Sequence, residues 1–255
     1  MNAPALRRWR FASALLAAAA AVSLAAEVVW SRAVAPRLAI ERIVFESDLA
    51  LTDGQLLEML DIDGRSWATV DEEDLTARLE SYPVVRKADV AKVFPDTLRI
   101  YVYRRLPLAV AFTGDGAAPV PAVFDEEGYA VKVGGGAGLD LPVISGPRFP
   151  EPDLGARLPE SLRPVLADLS GLRSDDPKLF NLVSEVEILP KGDGYDLRLY
   201  MNHVRIPILV DGDLTAESIG RAVLVLDVLE AGAADAVEEA DMRGGHVVFR
   251  RAEEI

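Results

Sequence analysis

The sequence predicts an α+β protein hung from a single N-terminal transmembrane helix, with a β-α-α-β-β module first and then a mostly antiparallel β domain carrying helices. Three observations lead there. Residues 11–30 form an apolar run whose only charge is Glu27. Helical periodicity and strict alternation trade places over residues 38–103. Short β-like runs divided by glycine, proline and aspartate fill the remainder.

Arg7, Arg8 and Arg10 precede the apolar run. Twenty helical residues at ~1.5 Å each cover ~30 Å, the thickness of a bilayer's hydrocarbon core. Insertion rests on Phe11, Leu15, Leu16, Val22, Leu24, Val28 and Val29, each worth roughly −0.3 to −0.6 kcal/mol near the bilayer centre. Glu27 must therefore reach the interface beside Trp30. Basic flanks stay cytoplasmic, so the reading is a cytoplasmic tail at 1–10, a membrane helix at 11–31 and everything later outside the cytoplasm. The rival is a cleaved signal peptide with Ala33-Val34-Ala35 as its A-x-A site. The length of the run, Glu27, Arg32 and a proline at 36 just after the cut weigh against it. Arg7-Arg8 also admits a twin-arginine export reading.

No cysteine occurs among the 255 residues, which excludes disulfides and thiolate chemistry. The net charge is −14, and about −17 once the three leading arginines are set apart. A surface of that sign repels phosphate backbones and anionic lipid headgroups, so nucleic acid is not expected as a partner.

The first module should span 36–106. Residues 38–45 read as a strand whose apolar positions change face midway, as a bulge allows. Thr52 with Gln55 forms a capping-box signature, and Leu56, Leu57 and Leu60 give a short helix its apolar stripe. A second helix opens near 69–71, with acids from Asp71 to Asp74 at the positive end of its dipole and Leu75, Leu79 and Tyr82 on one face, and Pro83 stops it. Residues 84–93 read as a strand, 94–97 as a turn, and 98–103 as a strand in which Leu98, Ile100 and Val102 face the helices. Arg99, Tyr101 and Tyr103 then face outward.

From 107 to 255 the β-like runs are 109–112, 122–124, 129–133, 182–189, 195–200, 205–210 and 246–250. Helical patterns interrupt them near 161–172 and 215–229, the latter with Ile219, Val223, Leu226 and Leu229 in register.

Tyr82-Pro83-Val84-Val85, then Ala88, Val90, Phe94-Pro95-Asp96-Thr97-Leu98, Ile100 and Val102, then Arg105, Pro107 and Ala109 make an ordered pattern. Phe124-Asp125 with Gly128, Leu141-Pro142-Val143-Ile144-Ser145-Gly146, and Asp241-Met242-Arg243 continue it. On these residues the sequence resembles the FtsQ/DivIB bacterial cell-division proteins. Arg104 stands where that family often has Glu, and Gly244 where an aromatic is common. The resemblance implies a POTRA module at 36–106, a C-terminal β domain at 107–255 and no catalytic, cofactor or metal site. It further implies a bitopic inner-membrane scaffold at the division septum. Its partners would be FtsB/DivIC-like and FtsL-like bitopic proteins and, through them, the septal peptidoglycan synthase.

The physics expected of such a scaffold is strand addition at an open sheet edge. The candidate edge is His246, Val247, Val248, Phe249 and Arg250, and Val248→Pro is the substitution expected to remove a ladder donor there. An ordinary closing strand is the alternative use of the same residues.

Other motifs carry little. His203 and His246 lack the neighbours a zinc site needs. Asp61-Ile62-Asp63-Gly64 and Asp211-Gly212-Asp213 miss the calcium-loop spacing and read as turns. Residues 134–138 fail dinucleotide-loop spacing. Ser145-Gly146 and Ser170-Gly171 lack the elbow glycine. Glu72-Glu73 and Glu238-Glu239 read as solvated helix ends or turns. A membrane-tethered cell-wall hydrolase would need two converging carboxylates, and a POTRA-bearing outer-membrane transporter would need a transmembrane barrel.

Overall fold

The computed structural model describes residues 3–34, 38–49, 52–62, 66–114, 119–135, 140–150, 152–192, 194–232 and 236–251. Two compact units emerge, Met1–Arg104 and Arg105–Ile255. Together they make the mixed α+β protein that the sequence predicts.

Helix α1 covers Ala3–Val29 and runs on into a π-helical turn at Trp30–Val34. Within it, Ala14–Val34 is 21 residues long with a mean hydropathy of 1.8 and no buried residues, enough by length and composition to cross a membrane. Ala35 and Pro36, on which the signal-peptide reading turns, lie outside the described residues.

The rest of the first unit comprises β1 (Arg42–Ser47), α2 (Asp53–Leu60), α3 (Glu72–Glu80), β2 (Val85–Val93) and β3 (Thr97–Arg104). The sheet order is β1-β3-β2, with β1 parallel and β2 antiparallel to the central β3. Thr52 caps α2 in a complete capping box with Gln55, and Asp71 caps α3 by accepting from Glu73 N. Glu72, Glu73 and Asp74 occupy the first turn of α3, where negative charge favours the helix dipole. Alternation along β3 buries Leu98, Ile100 and Val102 against Leu60, Leu75 and Leu79. A fully buried leucine contributes roughly 1.5–3 kcal/mol, so these six side chains account for much of the unit's stability.

Two local readings need correction. The first strand starts at Arg42, not at 38, because Leu38 O is taken by Trp67 N–H and Ser66 Oγ–H, and Ala39 bridges Ser66. Tyr82 is not on the helix face: α3 ends at Glu80 with Ser81 as its C-cap, which leaves Tyr82 exposed.

The second unit holds β4 (Pro107–Thr113), β5 (Val120–Asp125), β6 (Ala130–Val133), β7 (Val143–Phe149), α4 (Arg163–Asp175), α5 (Pro177–Leu182), β8 (Val183–Lys191), β9 (Gly194–Met201), β10 (Ile208–Val210), α6 (Ala216–Glu230), β11 (Val237–Asp241) and β12 (Val248–Arg251). All nine strands form one sheet in the order β12-β11-β10-β9-β8-β7-β4-β5-β6. Three of its pairings, β4·β7, β7·β8 and β10·β11, are parallel, and the others are antiparallel. Strands β7 and β11 and helix α5 are additions to the sequence reading.

One face of this sheet is apolar. Val186, Ile188, Leu197, Leu199 and Ile208 pack with Leu166, Leu169 and Leu172 of α4 and Ile219, Ala222 and Leu226 of α6. Strand alternation turns Glu187, Arg198 and Tyr200 to the opposite face.

The Phe124-Asp125…Gly128 pattern is the β5–β6 turn. Asp125 is 1% exposed. Its Oδ1 accepts from Glu127 N and Tyr129 N at 3.0 and 2.8 Å, and its Oδ2 from Arg105 Nη1 at 2.7 Å. Arg105 also donates to Glu127 at 2.8 Å and stacks 4.1 Å over the Tyr129 ring. Burial pushes the guanidinium pKa down, but the bonds from Asp125 and Glu127 outweigh it and raise the value.

Candidate partner-binding edge

The sheet has two edge strands, β6 and β12. At β6 the backbone is partly covered: Ala130 N donates to Ala156 O and Ala130 O accepts from Gly155 N, each at 2.8 Å. The other edge is different. Val248 is 63% exposed, Phe249 45% and Val247 41%, three consecutive apolar residues presented to solvent.

Of the five residues named from sequence, His246, in extended backbone, and Val247 precede β12, and Val248, Phe249 and Arg250 lie within it, followed by Arg251. Strand β12 pairs antiparallel with β11, Asp241 opposite Val248, Ala240 opposite Phe249 and Glu239 opposite Arg250. On its far side β11 lies parallel to β10, where Ala240 N donates to Pro207 O at 3.0 Å and Met242 N to Leu209 O at 2.8 Å. A strand residue directs its N–H and C=O to the same side, and neighbours alternate. Ala240 therefore faces β10, while Glu239 and Asp241 turn their peptide groups to β12. Val248 and Arg250 answer them. Phe249 is left with its N–H and C=O pointing away from the sheet.

This corrects the proline argument. Val248→Pro would delete a bond to β11; the donor on the open side belongs to Phe249.

Charge braces the edge from one face. Glu239, 4% exposed, accepts from Arg198 Nε at 2.8 Å and pairs with Arg250 at 3.0 Å. Arg198 also reaches Glu187 at 2.9 Å, and Tyr200 donates its hydroxyl to the same carboxylate. Burial and that bond both push the Tyr200 hydroxyl pKa up. Glu238-Glu239 thus belongs to a strand, and Glu239 is not a solvated helix end. Periodicity could not reveal it, since its partner Arg198 is 41 residues away.

The turn into β12 is built by Asp241-Met242-Arg243. Arg243 donates backbone N and Nε to Asp241 Oδ1 at 3.1 and 2.9 Å and its Nη1 to Asp196, which also accepts from Lys191. Gly244 follows at φ 68°, left-handed backbone that explains a glycine here, and donates to Asp211. Asp241's carboxyl is held below its ordinary 3.8 first by the Arg243 side-chain bond. Asp196, which burial pushes up, is drawn below 3.8 by Lys191 and Arg243.

A stability test follows from these two depressed carboxyls. Their contribution is complete above the unfolded value near 3.8 and is lost as pH falls through the lower folded values. Arg243→Ala is expected to lower the urea midpoint at pH 7, with the gap from wild type closing as pH drops below ~3.8. Paired urea titrations at pH 7 and pH 3 check it; a gap equal at both would show that the ion pairs are not its source.

Beside this turn is a cavity of about 250 Å³ lined by Asp211, Asp213, Thr215, Glu217, Arg221 and Met242 among others. No group of three or more histidine, aspartate or glutamate residues able to hold a metal occurs among the described residues. His203 lies 3.8 Å from Asp227, and His246 is exposed. Asp63, Gly64 and residues 136–138 lie outside the described residues. Ser145 donates its hydroxyl to Glu185. In the first unit Arg99 and Tyr103 are exposed and Tyr101 half-buried, with Lys87 Nζ 5.8 Å from the Tyr103 ring.

A family model described as the POTRA domain, FtsQ-type, matches residues 38–105. Cell division protein FtsQ of Myxococcus fulvus is 31% identical over 175 residues, covering 64% of this chain and 59% of that protein. FtsQ of Rhodothermus marinus is 30% identical over 141 residues, 55% of this chain and 50% of the relative. FtsQ of Syntrophotalea carbinolica is 32% identical over 109 residues, 42% of this chain and 37% of the relative. The chain thus spans between about a third and three fifths of the length of these curated relatives.

Proposed function

We propose that this chain is a member of the FtsQ family and acts in cell division as a non-catalytic bitopic scaffold that binds its partners by strand addition at β12. Helix α1 holds it in the inner membrane, with the N-terminus cytoplasmic and both folded units outside. The partners are FtsB/DivIC-like and FtsL-like bitopic proteins at the septum, linked to the septal peptidoglycan synthase. The observation that carries this reading is the outward peptide group of Phe249, flanked by the exposed side chains of Val247, Val248 and Phe249. A docking strand gains two backbone hydrogen bonds at that residue and covers the apolar side chains.

The carboxylates of the second unit support a scaffold over a hydrolase. A general acid needs a raised pKa. Asp196 and Asp241 are lowered, the opposite direction.

Phe249→Pro is expected to weaken co-purification with an FtsB-like partner by about tenfold or more, since it removes the outward donor and constrains the docking geometry. Hydrogen exchange in β11 should stay at the wild-type level, because Val248 and Arg250 keep their bonds. Wild-type partner recovery by this variant would refute strand addition at β12.

A further inference from the structure

The turn between β2 and β3 carries an exposed aromatic pair remote in sequence from the partner edge. Phe94 is 72% exposed, and its ring meets Trp67 edge-on with centroids 5.8 Å apart. Trp67 is fixed in place: Nε1 donates to Thr97 O at 3.1 Å, and Lys92 Nζ lies 5.4 Å from the ring. Val93 and Pro95 are exposed on either side of Phe94. An apolar tip therefore stands on a rigid base beside an ammonium group.

The chain coming from α1 enters the module at this same end. Trp67 N donates to Leu38 O at 2.7 Å, Glu41 N to Asp96 O at 3.0 Å, and β1 begins with Arg42 opposite Thr97. Val34, the last residue of the membrane-length helix, is four residues before Leu38, so their Cα atoms lie within about 15 Å of one another. Trp30, 50% exposed, occupies the end of that helix.

We propose that the Phe94 turn, with Trp67 and Lys92, rests in the headgroup layer of the membrane that α1 crosses, so that this module's partner is the lipid surface itself. The proposal rests on the reading of α1 as a membrane anchor. Aromatic rings favour the interface, and the Lys92 ammonium at the base of the tip is held by Val70 O at 2.8 Å. At this end Arg42 and Lys92 stand against Glu41, Asp96 and Glu72, whose carboxylate accepts from Lys92 N, so the contact rests on the apolar tip and not on charge. The tether supplies an effective concentration of order mM, at which weak partitioning suffices. A docked tip fixes the tilt of the β1-β3-β2 sheet against the bilayer.

Because the chain has no cysteine, one introduced cysteine carries a unique nitroxide. The full-length variants Val93→Cys, Tyr103→Cys and Val22→Cys are reconstituted singly in vesicles of phosphatidylcholine and phosphatidylglycerol, with no other protein. Tyr103 is the control because it lies about 20 Å along β3 from Thr97. At 93, as at 22, the label should be more accessible to oxygen than to a water-soluble nickel chelate, with the order reversed at 103. Adding Phe94→Ser should bring the label at 93 to the aqueous value. A lipid-exposed label at 22 with an aqueous one at 93 overturns this proposal alone. An aqueous label at 22 overturns the anchor with it, and a label at 93 indifferent to Phe94→Ser overturns the role of the aromatic tip.

Discussion

Gly146→Ala is expected to unfold the second unit. Gly146 sits in β7 at φ +103°, and a Cβ there would lie 2.2 Å from Ile188 O and 3.0 Å from Ile188 N. Both atoms are backbone of β8, a strand hydrogen-bonded on both sides, so neither can yield without breaking the ladder. Left-handed strain adds to the overlap. The sum should exceed the ~4–5 kcal/mol that marks an exceptional single substitution, within a total stability of about 5–15 kcal/mol. Hydrogen exchange on the full chain checks it: protection should vanish from β7, β8 and β9 and persist in β1, β2 and β3. Gly171→Ala is the control, because that α4 glycine has nothing within 4 Å of an added Cβ. It should stabilise by roughly 0.5–1 kcal/mol. Undiminished protection in Gly146→Ala would show that β7 can shift away from β8.

The second large effect is expected from Arg105→Ala, at about 3–5 kcal/mol of stability. The loss comes from what stays behind. Asp125 keeps its two backbone donors, but its charge, almost fully enclosed, has lost the guanidinium 2.7 Å away. Asp125→Asn added to Arg105→Ala removes the stranded charge and keeps an acceptor for Glu127 N and Tyr129 N, so it should recover part of the loss. Urea unfolding of the two variants decides the matter. A double variant no more stable than the single one would show that the arginine's stacking on Tyr129, not charge pairing, was the main contribution.

Legibility in the sequence followed the range of the interactions. The capping box of Thr52 and Gln55 spans three residues, and the alternation along β3 needs only its own pattern, so both could be read directly. Strand β7 could not be read as a strand, because Gly146 and Pro147 break its pattern and its neighbours β4 and β8 are parallel partners distant in sequence. Strand β11 was hidden for a different reason. Val-Glu-Glu-Ala-Asp has no apolar alternation, and Glu239 enters a buried position only because Arg198 and Arg250 meet it there.

The partner edge divides in the same way. Val247, Val248 and Phe249 stand out in the sequence as an apolar run near the end of the chain, and the membrane-length helix, the module order and the absence of thiol chemistry are likewise present in the residues alone. The direction of each peptide group was decided by tertiary structure, because Ala240 and Met242 bond to β10 and thereby turn Glu239 and Asp241 toward β12. Side-chain pattern is a property of one strand, whereas the outward direction of the Phe249 N–H is a property of three strands in register, and no single segment encodes it.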